Sequence, residues 1–278
     1  MFRLKQSCHA TLRRILFLHD EPRMTYDNIG HWPIFILSLE GDEVRRAPLL
    51  TSLANMGLEA EVLIGVDGRN GLPSWAEAEV DREKAWTWDN TRFVGHLTDG
   101  ELACALSHAL AYRKIIDENL PGAILFEDDA IVKEEFKHFV EDHGYEAGEL
   151  VMLGHRNTRV RRFSETRLCK DIVGYRLVNS PIYAHGYSVS RIAAKYILKA
   201  ASPVRATADW PCDISRLKAL AADPQIALQP DDRLQTSHLE AGRQASRQER
   251  ERLKTPYRYL SGAYWMRYLR KRLGRRIA

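Results

Sequence analysis

The chain has 278 residues, 45% of them hydrophobic and 28% charged, with a formal net charge of +4. That is ordinary globular composition, long enough to bury a sizeable core and near the upper end of a single domain. There is no internal repeat, no low-complexity stretch and no run of about 18 apolar residues to span a bilayer.

Near the N-terminus Arg13-Arg14 precede the apolar run Ile15-Leu16-Phe17-Leu18, and His19-Asp20-Glu21 follow it. This run is shorter than the roughly 7–15 residues of a signal-peptide core. The expectation is a cytoplasmic protein with an N-terminal extension over residues 1–30. The cysteines Cys8, Cys104, Cys169 and Cys212 include no C-x-x-C pair, so reduced structural thiols are expected and a zinc site is not.

Pro33 to Leu39 reads as a buried first strand. Asp42 to Met56 carries leucines and alanines at helical spacing, with Gly57 as its stop. Leu58 to Val66 reads as a second strand, ending in the turn signal Asp67-Gly68, where Gly68 allows a positive φ. Strand, helix and strand of these lengths predict a βαβ unit with a parallel pair. Residues 69–95, with Trp75, Trp86 and Trp88, read as a loop with a short helix. Thr98 and Glu101 form a capping-box pattern that opens a helix running to about Asn119, and Pro121-Gly122 break it. Ala123 to Phe126 is a third strand. Phe136 and Phe139 mark a further helix, Leu150 to Leu153 a short strand, and residues 155–180 a polar hairpin. Pro181 to Val189 reads as a strand, and Ser190 caps a helix over Arg191 to Ala201. A helix near Ile214 to Ala221 and a strand near Ile226 to Leu228 complete the pattern. Alternating strands and helices predict an α/β fold with a mostly parallel central sheet.

The third strand delivers Glu127-Asp128-Asp129. In open α/β sheets, ligands bind beyond the carboxyl ends of the strands. Adjacent carboxylates there repel one another unless a cation neutralises them. Mg²⁺ and Mn²⁺ characteristically bridge carboxylates to substrate phosphates. A solvated acidic turn is the plain alternative. Asp67, after the second strand, also reaches the ligand edge, either as a nucleotide contact or as a plain turn residue.

Several stretches together resemble glycosyltransferase family 25, which includes the lipopolysaccharide and lipooligosaccharide galactosyltransferases of Gram-negative bacteria. They are IFILSLEGDEVRRAPLL, VDG at Val66 to Gly68, LTDGELACALSHALAYRKI, AILFEDDA and HGYSVSRIAAKYIL. The resemblance runs from about Pro33 to Leu239, and its most specific part is GELACALSH followed about twenty residues later by FEDD. LSLEGDEVRR departs from it, because the family commonly shows an asparagine or basic residue soon after the leucine.

The resemblance implies a GT-A-like nucleotide-sugar-binding domain over residues 31–245. It implies that the acidic motif binds a divalent cation and the donor diphosphate. Asp129 is then the first choice as metal ligand with Glu127 beside it, while one of the three instead faces the donor ribose or sugar, and Asp128 is the candidate donor-site residue. Glu101, Ser107 and His108 fall in the family's GE…SH motif and are candidate donor-site residues, although a capping box accounts for Glu101 without any ligand. Sugar transfer needs a base for the acceptor hydroxyl proton. Asp209, beside Trp210, is the better match, with Asp213 in reserve unless it is a helix cap. His238 is a candidate further metal ligand. The implied reaction is inverting transfer, with galactose foremost, from a UDP-sugar to a lipid-linked oligosaccharide or other glycan, assisted by Mn²⁺ or Mg²⁺. The alternatives are a nucleotidyltransferase, a sugar-nucleotide hydrolase, or a catalytically silent carbohydrate-binding scaffold.

Residues 246–278 form a basic aromatic segment, read as a helical tail. Tyr257, Tyr259, Tyr264, Trp265 and Tyr268 alternate with Arg258, Arg267, Arg270, Lys271, Arg272, Arg275 and Arg276. Such a tail either lies on an anionic membrane surface or is a solvated helix. No nucleic-acid recognition motif accompanies it, so nucleic acid is not an expected partner.

Overall fold

In the first strand, β1 (Ile34–Ser38), every residue is buried. A continuous apolar run of this kind belongs at the centre of a sheet covered on both faces. It pairs in parallel with β2 (Glu61–Ile64) on one side and β3 (Gly122–Glu127) on the other. The computed structural model describes residues 30–85, 96–156 and 158–230, with 265, 268, 269 and 272–277. The N-terminal extension, apart from Gly30, lies outside the described residues, as does the expected boundary at 245/246. His31 to Ala278 form one unit.

Helix α1 (Glu43–Asn55) connects β1 to β2, and Gly57 at φ 75° ends it as the sequence implies. A short helix, α2 (Ser74–Glu77), precedes α3 (Asp99–Asp117). The capping box is present in full: Glu101 N donates to Thr98 Oγ1 at 3.2 Å, and Thr98 N donates to Glu101 Oε2 at 3.0 Å. Gly68 does not carry the expected positive φ. Its need is for space, because a Cβ there would lie 2.5 Å from the Asp99 carbonyl oxygen.

After β3 come β4 (Ile131–Val132), α4 (Glu135–Glu141) and β5 (Leu150–Met152). The expected hairpin is β6 (Arg159–Cys169) with β7 (Ile172–Leu177). Then β8 (Gly186–Ser190) leads through its capping Ser190 into α5 (Arg191–Ala201). The helix expected near Ile214 to Ala221 is instead a 3₁₀ turn at Ile214–Arg216 followed by β9 (Ala219–Asp223). β9 lies between β5 and β7, so its apolar residues are buried on both faces. A strand satisfies that environment where a surface helix would not. Short β10 (Ala227–Leu228) pairs with β4.

Among the described residues the large sheet has nine strands in the order β11-β6-β7-β9-β5-β8-β3-β1-β2, where β11 is Arg275–Arg276. It is mixed. Six strands run one way, while β8, β7 and β11 run against them. Of the expected helical tail, Trp265, Tyr268, Leu269, Arg272 and Leu273 are helical, whereas Arg275–Arg276 join the sheet edge on β6. Ile277 is buried behind them, and its N–H donates to the Thr158 carbonyl. Among the described residues no helix is long and apolar enough to cross a membrane.

Candidate functional site

The acidic triplet stands where β3 runs out of the sheet. Leu37 of β1 pairs with Glu127, and the Glu127 N–H donates to the His185 carbonyl just ahead of β8. The three side chains diverge. Asp128 turns inward and is 7% exposed. Ser38 Oγ donates to its Oδ2 at 2.9 Å, and Arg45 Nε to its Oδ1 at 2.6 Å. Arg45 Nη2 reaches Asp129 Oδ2 at 2.6 Å. One guanidinium from the first turn of α1 therefore bridges two carboxylates, the forked geometry that arginine favours.

Asp129 Oδ1 is buried and has no hydrogen-bond partner. Burial, with Glu127 and Asp128 adding to it and Arg45 opposing, raises the Asp129 carboxyl to about 6. A buried carboxylate oxygen with no donor, beside a second carboxylate, is a hard-oxygen donor set that suits Mg²⁺ or Mn²⁺. Glu127 behaves differently. Burial works to raise its pKa, but His108, His185 and Arg45 outweigh that and hold it below the usual range.

His108 and Glu127 meet across the gap between α3 and β3, with Nε2 3.6 Å from Oε1. His108 Nδ1 shares a 2.8 Å hydrogen bond with the Tyr187 hydroxyl, and Tyr187 shares one of 2.6 Å with Tyr112. Both phenols are buried, which pushes their pKa values up. The Trp210 ring meets Tyr187 edge-on at 5.2 Å. This chain of contacts connects the triplet to the loop that carries Asp209.

Asp209 Oδ1 accepts the Tyr183 N–H at 3.1 Å. Tyr183 at φ 78° and Trp210 at φ 118° both lie in the left-handed region. Such strain persists where the surroundings over-determine it, often at functional sites. Trp210 is only 9% exposed, so it stiffens the loop and presents no face to a sugar. Tyr183 is the half-buried aromatic beside Asp209, with the Arg156 guanidinium 5.7 Å from its ring centroid.

The other sequence candidates fall elsewhere. Asp213 Oδ1 accepts the Ser215 N–H at 3.1 Å and the Ser215 hydroxyl at 2.6 Å, a turn-capping role. Ser107 Oγ accepts the Val66 N–H and donates to the Ala103 carbonyl, both at 2.8 Å, which fastens α3 to the end of the second strand. Glu101 is spent in the capping box, and Asp67 pairs with Arg69 at 2.7 Å. His238 lies outside the described residues. Arg45, Ser38, Cys104, His185 and Tyr187 belong to the site, yet the sequence did not mark them individually. All five lie within stretches that carry the family resemblance.

A mixed sheet thus carries a carboxylate triplet at a strand exit, connected through His108, Tyr187 and Trp210 to the strained aromatic loop that bears Asp209. The sequence model of Glycosyltransferase family 25 (LPS biosynthesis protein) matches residues 31–214, and the chain belongs to that family. Over 122 residues it is 32% identical to mouse "Inactive glycosyltransferase 25 family member 3", covering 43% of this chain and 20% of that protein. Over 188 residues it is 22% identical to mouse "Procollagen galactosyltransferase 2", covering 63% of this chain and 28% of that protein. Over 109 residues it is 31% identical to Haemophilus influenzae "Lipooligosaccharide biosynthesis protein lic2B", covering 36% of this chain and 41% of that protein. The matched stretches thus span well under two thirds of these relatives' own lengths.

Proposed function

We propose that the protein is an inverting glycosyltransferase that moves galactose from UDP-galactose to a hydroxyl of a lipid-linked oligosaccharide such as a lipopolysaccharide core. The observation that carries this reading is the β3 exit, where Asp129 keeps a buried, partnerless carboxylate oxygen beside Glu127. Family membership and relatives named for galactosyl transfer and lipooligosaccharide biosynthesis support the donor and acceptor classes.

Glu127 and Asp129 would hold a divalent cation, which supplies Lewis-acid neutralisation of the donor's diphosphate. Arg45 and Ser38 fix Asp128 and keep the triplet from splaying. Asp209 takes the acceptor hydroxyl proton onto its carboxylate as the oxygen attacks the anomeric carbon. The new C–O bond forms opposite the breaking bond to the phosphate oxygen, and UDP leaves with that electron pair. Tyr183, whose backbone N–H holds Asp209, offers a half-buried aromatic ring beside that base.

A lipid-linked acceptor resides in a membrane, so the exposed Trp265, Leu269 and Leu273, together with Arg272, Arg275 and Arg276, are read as a peripheral contact with an anionic membrane on its cytoplasmic side. The second reading is a catalytically silent scaffold, favoured by the relatives named inactive. Incubation with UDP-galactose and an oligosaccharide acceptor, with Mn²⁺ and with chelator, tests the proposal. Manganese-dependent product is expected. Donor hydrolysis alone, transfer indifferent to exhaustive chelation, or UDP binding without turnover would each overturn it.

A further inference from the structure

The sequence has no C-x-x-C pair, but α3 places Cys104 and His108 one helical turn apart, facing the exit of β3. One ligand atom from each of Cys104, His108 and Glu127 lies within 4.8 Å of the other two. His108 is 2% exposed, and its Nε2 has no hydrogen-bond partner. The other ring nitrogen, Nδ1, is engaged by the Tyr187 hydroxyl at 2.8 Å. This is how a metal-binding imidazole is commonly set: a bond at one nitrogen fixes tautomer and ring orientation, and the lone pair of the other points at the ion.

We propose that Cys104, His108 and Glu127 bind a borderline-soft divalent cation, zinc foremost. A thiolate and an imidazole select zinc over magnesium or manganese, which prefer oxygen throughout. Tetrahedral zinc with bonds of about 2.0–2.3 Å sets its ligand atoms roughly 3.3–3.6 Å apart. His108 Nε2 and Glu127 Oε1, 3.6 Å apart, already stand at that spacing, and the Cys104 sulfur needs to close in by at most about an ångström, within reach of side-chain torsions. Three protein ligands leave a fourth position for water. On binding, the Cys104 thiol gives its proton to solvent and the thiolate donates its electron pair to the metal, with no change of oxidation state. Glu127 also belongs to the cation pair proposed above, so zinc here withdraws a carboxylate from that pair and inhibits the manganese-supported reaction. That consequence rests on the proposed function; the binding itself does not.

The test uses the full chain, stripped of metal and titrated with Co²⁺ as a spectroscopic substitute for zinc. The expected result is a thiolate-to-cobalt charge-transfer band that saturates at one equivalent and is erased by Zn²⁺. Cys104→Ser should lack the band while keeping the wild-type circular dichroism and melting profile. His108→Gln should weaken cobalt binding by at least about ten-fold. Asp129→Asn separates the two metals, since the cobalt band should persist while manganese-dependent UDP binding is lost. Absence of the band in the wild type, its survival in Cys104→Ser, or its loss in Asp129→Asn would overturn the assignment.

Discussion

Arg45 lies 2.6 Å from Asp129, and through the other arm of the same guanidinium 2.6 Å from Asp128, which makes it the internal cation of the acidic triplet. Removing it leaves Asp128 buried with an uncompensated charge. Arg45→Met is expected to cost about 2–4 kcal/mol at pH 7. This is below the roughly 3–5 kcal/mol of a fully buried pair, because part of the arginine side chain reaches solvent. Urea denaturation measures it. Adding Asp128→Asn should recover part of the loss, and a double variant as unstable as the single would contradict the ion-pair account.

Asp129→Asn is expected to reduce transfer by at least about 100-fold, the scale of losing one preorganised charge at a reacting centre. Stability should move the other way. The folded carboxyl sits at about 6 against an ordinary 3.8, so ionisation works against the fold as pH rises between those values. In chelator at pH 7.5 the amide variant should therefore melt no lower than the wild type. A clearly lower melting temperature would show that the carboxylate is there for structure.

Asp209→Asn should lower turnover by about 10²–10⁴-fold and leave UDP affinity within about two-fold, because the amide keeps the shape and the Tyr183 contact but takes no proton. Calorimetric UDP titration beside steady-state kinetics separates the two effects. Weakened UDP binding with normal turnover of bound donor would move Asp209 to the donor site.

His155 is 3% exposed, and its Nε2 lies 2.9 Å from the Ala222 carbonyl oxygen. Burial pushes the imidazole down, against the pull of that carbonyl and of Asp223. A histidine depressed in the fold contributes stability that is complete above its unfolded value of about 6.5. This stability is lost as pH falls towards and through the folded value, at up to about 1.4 kcal/mol per pH unit. Asp129 works in the opposite sense below about 6. The informative quantity is therefore the difference between wild type and His155→Gln, measured by urea denaturation from pH 7.5 to 5. The variant should lose less stability over that range, and parallel profiles would exclude His155 as a source of the slope.

Trp265, Leu269 and Leu273 follow one another at four-residue spacing and are 50%, 56% and 75% exposed. Replacing all three with serine should abolish sedimentation with anionic vesicles at low salt and spare transfer to a short soluble acceptor. This is a better test than truncation, because deleting the segment also removes Arg275–Arg276 from the sheet edge. Equal sedimentation of the two proteins would assign the binding to the basic residues alone.

Much of this architecture could be read from the chain because local and global demands agree. The apolar runs of β1 and β3, the capping box of α3 and the glycine after α1 each have one good structural solution. The stretch from Ile214 to Ala221 misled because a short apolar run suits helix and strand equally well. Only its place between β5 and β7 decides it. The triplet was conspicuous because three charges at a strand exit contradict burial. Its partners were not, since Arg45 is 83 residues from Asp128 and Tyr187 is 79 from His108. Contacts at that separation leave no periodicity in the sequence. Cys104 has no cysteine partner at metal-ligand spacing in the sequence; its neighbour at the site is His108, one helical turn on.

The reversed direction of β8 has a practical result. Phe126 pairs with Gly186, so the chain leaves β3 and enters β8 at the same rim. Residues 178–185 therefore arrive at the acidic triplet from upstream of a strand whose position is already pinned by five backbone pairings. That short span, with Tyr183 and His185 at its inner end, fastens two carboxylates at once: the His185 carbonyl accepts the Glu127 N–H and the Tyr183 N–H donates to Asp209, so an insertion within it would displace the triplet and the Asp209 loop together.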